Sequence, residues 1–79
     1  MQLDPQKPQP KKLDKDAPKM LEVTIKDGHE NLFLSAHAME KHFSTGSVGY
    51  FLSGKAINPV SQEKYQVSIN ITLIGSKPE

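Results

Sequence analysis

The chain contains no cysteine and no arginine, and none of its apolar runs is long. Each absence excludes something. Without cysteine, no disulfide or thiolate metal site can staple a small fold. Without arginine, the side chain best suited to bidentate phosphate or guanine recognition is missing. Without a continuous apolar run, no signal peptide or membrane-spanning helix is expected, and no membrane partner. The lack of cysteine, of a signal peptide and of a membrane span leads us to expect a cytoplasmic protein.

With 79 residues there is room for one domain at most. Residues 1–19 hold four of the six prolines, Pro5, Pro8, Pro10 and Pro18, and few apolar side chains. Such a segment cannot bury enough apolar area to offset a backbone ordering cost of roughly 1–2 kcal/mol per residue. It reads as a disordered Lys/Pro-rich leader ahead of a single small β-rich domain over residues 20–79. The leader carries Lys7, Lys11, Lys12, Lys15 and Lys19 against Asp4, Asp14 and Asp16, while the remainder has one more acid than base. The mild basicity of the chain therefore belongs to the leader.

What is present is alternation. In KYQVSINITLI, Tyr65, Val67, Ile69, Ile71 and Leu73 share one face, and Lys64, Gln66, Ser68, Asn70 and Thr72 the other. That is the signature of a long strand with one wet face, here Lys64–Ile74. LEVTIK repeats it with Leu21, Val23 and Ile25. Asp27–Gly28 then signals a turn, so Asn31–Ser35 is expected to return as a hairpin. Gly49–Ile57 should pair with the long strand through a connection begun at Asn58–Pro59. With Ile57 opposite Lys64, Leu52 faces Ile69 and Tyr50 faces Ile71, so every pair on that face is apolar or small. Gly54 then falls opposite Val67, a place for a bulge or close packing.

SAHAMEKHF, residues 35–43, admits two readings. Ser35 can cap a short helix with Ala36, Met39 and Phe43 as its apolar stripe. Alternatively the strand runs on through Ala36 and Ala38. The Ala, Met, Glu and Lys content favours the helix. The expected fold is thus β-rich α+β: a small antiparallel sheet of about four strands, curled toward an open barrel, with one short helix.

Several stretches imitate functional motifs. GYFLSGKA, residues 49–56, reproduces the G-x-x-x-x-G-K of a phosphate loop. Its intervening Tyr-Phe-Leu-Ser are strand formers, and Ala56 lacks the hydroxyl that would hold magnesium. Gly46-Ser47-Val48-Gly49 fits the G-x-x-G of an RNA-binding loop but lacks flanking helices, so a tight connection is the better account. His37 and His42 are five apart, which does not align two imidazoles on one helix turn. No nucleophile and base stand in an evident arrangement. No enzyme, cofactor or metal is expected.

The wet face of the main hairpin remains. It displays Phe51, Lys55 and Ile57 beside Lys64 and Gln66, and an outward Phe is the odd member. These five residues are the expected partner-binding set of a protein-interaction or self-assembly module. The same materials suit a sequence-tolerant single-stranded DNA or RNA binder, assisted by Lys11 and Lys12. A small protein inhibitor docking on a larger enzyme is a third reading.

Overall fold

The computed structural model describes residues 9–78, so the first eight residues of the leader lie outside the described residues. Four strands follow one another in one antiparallel sheet of order β1-β2-β3-β4. They are β1 (Met20–Lys26), β2 (Leu32–His42), β3 (Val48–Ile57) and β4 (Lys64–Thr72). Among the described residues no helix is long and apolar enough to cross a membrane.

The β3–β4 register is the one the alternation dictates. It runs without a shift from Gly49 opposite Thr72 to Ile57 opposite Lys64. Leu52 and Ala56 are buried on its inner face, while Ser53, Lys55 and Ile57 are exposed on the outer one. Asn58 opens the connection: its Oδ1 accepts from Val60 N at 2.9 Å, and its carbonyl accepts from Gln62 N at 2.8 Å. Gly54 needs no explanation as a bulge, because it pairs regularly with Val67 and an added Cβ there would meet nothing within 4 Å. Gly49 is the demanding glycine. A Cβ there would collide with the Ile71 carbonyl and lie 2.9 Å from Thr72 Cα.

The helix expected over residues 35–43 is corrected. No helix occurs among the described residues, and Ser35–His42 continue β2. Ala, Met, Glu and Lys favour a helix only weakly, by tenths of a kcal/mol per residue. Against that preference, β2 pairs with β1 from Met20–Met39 down to Lys26–Leu32. It also pairs with β3 from Met39–Phe51 to His42–Val48. A helix would have left β1 and β3 without their shared neighbour and their backbone groups unpaired. Period two also places Ala36 and Ala38 on the inner face, where Ala38 is buried.

The first turn is built by Asp27. Its carboxylate accepts from His29 N at 2.7 Å, Asn31 N at 3.0 Å and the Asn31 side-chain amide at 2.8 Å. The Asn31 side chain, then its backbone N–H and that of His29, hold the Asp27 pKa below the ordinary carboxylate range. Just beyond this turn the β1–β2 register shifts, leaving Phe33 as an extra residue in β2. Its ring lies 6.2 Å from that of Tyr65 on β4, tilted by 38°. Because β3 stands between β2 and β4, that contact requires the sheet to curl. Several inner-face residues of the two middle strands are small, which leaves room for it: Ala36 and Ala38 on β2, Gly54 and Ala56 on β3, with Leu34 and Leu52 beside them.

The opposite end is tied by polar groups. Phe43 N donates to Ser47 O at 2.8 Å, and Gly46, at φ 95°, donates to Phe43 O at 2.9 Å. Ser44, Thr45 and Gly46, the three residues inside the Phe43–Ser47 pair, thus end on a glycine in the left-handed region. After β4, Leu73 N still donates to Val48 O at 2.9 Å, and Gly75 turns the chain at φ 84°. Ser76 is fully buried there. Its hydroxyl donates to Leu73 O at 2.7 Å and accepts from Val48 N at 3.2 Å. The described part of the leader joins this end. Lys11 N donates to Ser76 O at 2.8 Å, and the Tyr50 hydroxyl donates to Pro18 O at 2.6 Å.

Candidate interaction surface

The outer face of the sheet can be read row by row from the registers. Met20, Met39, Phe51 and Asn70 form one transverse row, one residue from each strand. Met20 and Met39 are 48% and 51% exposed, on a face whose other members are chiefly polar. Lys41 lies one row away, and its strand partner is Gly49. With no side chain opposite, the Lys41 ammonium folds over its diagonal neighbour Phe51, 4.4 Å from the ring centroid. It is also 5.6 Å from the Phe43 ring. Phe51 is thereby half-buried rather than fully outward.

The other sequence-derived site residues occupy the far part of the same face. Lys55 is the cross-strand partner of Gln66, and Ile57 that of Lys64. Phe51 stands four residues along the strand from Lys55, about 13 Å at strand rise. The five residues therefore share a face but form two groups, not one. The neighbours that complete the Phe51 group, Met20, Met39 and Lys41, are absent from the sequence-derived set. Period-two alternation through SAHAMEK carries the missing signal, since it sets Met39 and Lys41 opposite to Ala36 and Ala38. A helical reading of that segment hides it.

The stretch that imitates a phosphate loop is strand β3, so Gly49, Gly54 and Lys55 lie along extended backbone rather than around a cradle. Among the described residues no three His, Asp or Glu gather where one metal ion could reach them. A cavity of about 250 Å³ lies between the leader and the tied end of the sheet. Leu13, Ala17, Val48, Tyr50, Ile71 and Leu73 are among its lining residues. Burial, then the Glu40 and Asp14 carboxylates, raise the Tyr50 pKa. Comparison with family models, curated proteins and solved structures returns no match. The surface must be read from its own chemistry.

Proposed function

We propose that this chain is a non-enzymatic protein-interaction or self-assembly module that presents the outer sheet face, with Phe51 as anchor. The observation that carries this reading is the row Met20–Met39–Phe51, apolar side chains set across a polar face. A Met pair beside an aromatic ring gives an adaptable contact surface, and Lys41 supplies a charge at its rim. The test is affinity capture with wild type and with the double variant Met39→Ala/Phe51→Ala. The variant should keep its far-UV circular dichroism and lose proteins that wild type retains. An identical set of retained proteins removes this face from the reading.

The Lys41–Phe51 pair favours one second reading. Together with Lys55 and Lys64 on the same face, it offers a base-stacking ring among phosphate-seeking cations. Labelled single-stranded oligonucleotides at low ionic strength decide it. Binding that weakens steeply with salt and falls with Phe51→Ala supports the nucleic-acid reading. Absence of binding ends it.

A further inference from the structure

We propose that two copies of this chain pair antiparallel through the outer edge of β4, with Ser68 on the twofold axis. The inference rests on the interaction-module reading and gives it one defined contact. β4 is the last strand of the sheet, paired only on its β3 side among the described residues.

The direction of its backbone groups follows from the ladder. Leu73 N donates to Val48 O, and Asn58 N donates to Glu63 O, both in the β3–β4 register. Odd-numbered residues of this strand therefore bond inward to β3. The N–H and C=O groups of Lys64, Gln66, Ser68, Asn70 and Thr72 point to the open edge. An unpaired edge of this length invites a further strand, and proteins usually block it with charge, proline or a bulge. β4 has none of these inside it. Its one charge, Lys64, stands at its end, and its register has no shift.

β1, the other edge, is different. It is two residues shorter, carries Glu22 and Lys26, and follows Pro18. Its pairing also ends on the register shift before Lys26. Of the two edges, β4 is the one left open to addition.

The occupant is specified by the strand's own pattern. About Ser68, the sequence is self-complementary. Lys64 meets Thr72 of the second copy, Gln66 meets Asn70, and Ser68 meets Ser68, all polar on the outer face. Tyr65 meets Ile71 and Val67 meets Ile69, all apolar on the inner face. No like charges oppose, and the outward groups supply about ten hydrogen bonds across the axis. The result is one eight-stranded sheet whose two outer faces lie on the same side. In it Phe51, Asn70, then Gln66 and Lys55 of the second copy form one row, about 14 Å long at normal strand spacing. The separated halves of the outer-face set are thereby brought into line, each half supplied by a different copy.

Sedimentation of the full chain over a concentration series tests this. Wild type should reach twice the chain mass. Ser68→Pro removes an outward N–H without touching a β3 bond, and should abolish the dimer. Ser68→Lys and Ser68→Glu, each placing like charges on the axis, should weaken dimerisation about five-fold. An equimolar mixture of the two should recover wild-type strength as a heterodimer. A wild type that stays monomeric, or Lys and Glu variants that dimerise alone as well as mixed, overturns the pairing. Should the proline variant fail to fold, the charge pair still decides. Ser35→Lys, on the outer face of β2 and off the edge, should keep the dimer, and its loss there would move the contact to the outer face. Unaltered partner capture by Met39→Ala/Phe51→Ala, with the β4 dimer intact, would overturn the outer-face reading alone.

Discussion

At one end of the sheet, β2 and β3 are hydrogen-bonded, Ser76 bridges Val48 and Leu73, and the leader is pinned through Lys11 and Pro18. At the other end, the β1–β2 and β3–β4 hairpins have left each other's hydrogen-bonding range and meet through small side chains and the Phe33–Tyr65 pair. The first end is held by directional bonds that exist in only one geometry. The second is held by contact, which weakens gradually as the hairpins part. Stability should therefore be uneven along the molecule, with opening of the hairpin tips preceding global unfolding.

Gly49→Ala should break the tied end most severely. With the Ile71 carbonyl in the way of any Cβ, the β3–β4 ladder must shift, at a cost of about 3 kcal/mol. Urea unfolding should record that loss as a lower midpoint. Ser76→Ala should come next, leaving the Val48 N–H buried without its acceptor, at about 2 kcal/mol. For both variants, amide exchange should accelerate across all four strands, because the bonds that define the tied end are lost. Tyr65→Ala should cost about 1 kcal/mol, the worth of a tilted ring pair with some lost burial. Its exchange rates should rise in the hairpin tips and stay near wild type around Val48. Uniform acceleration instead would show that the two ends unfold as one unit.

The smallest effect belongs to the Asp27 turn. A pKa held below the ordinary carboxylate range makes this group stabilising above that range. The contribution disappears as pH falls through the lowered folded-state value. Asp27→Asn should therefore flatten the acid side of the stability profile, losing less between neutral and strongly acidic pH than wild type. An unchanged slope in that range would separate the turn from the acid response. The neighbouring Lys26–Glu30 pair, at 3.2 Å and largely exposed, adds little to it.

The register of the β3–β4 hairpin was legible because each of its faces is consistent under only one pairing, although β4 ends at Thr72 rather than Ile74. β2 was legible only at its start, where the Asp27–Gly28 turn returns Leu32–Ser35 beside β1; beyond Ser35 its side chains favour a helix, and its strand form is imposed by β1 and then β3. The bulge at Phe33 left no local mark either, as it becomes necessary only when the sheet curls toward Tyr65. For the glycines, the sequence draws attention to Gly54, whereas the backbone crowding lies at Gly49. Crowding across strands is a property of the fold, invisible in a run of residues. The candidate surface was legible in part. Phe51 and the Lys55–Gln66 and Ile57–Lys64 pairs follow from alternation in β3 and β4. Met20, Met39 and Lys41 depend on strands being placed beside them.

The Tyr50 bond to Pro18 also has a spectroscopic consequence. The chain has no tryptophan and only two tyrosines, Tyr50 at the tied end and Tyr65 at the loose one. The tyrosine band of its near-ultraviolet signal, on the long-wavelength side of the phenylalanine bands, is thus a sum of two phenols in unlike settings, one bonded to a carbonyl and one beside a phenyl ring. Replacing either by phenylalanine isolates the other. The protein carries its own optical label at each end, and no dye is needed to follow them separately.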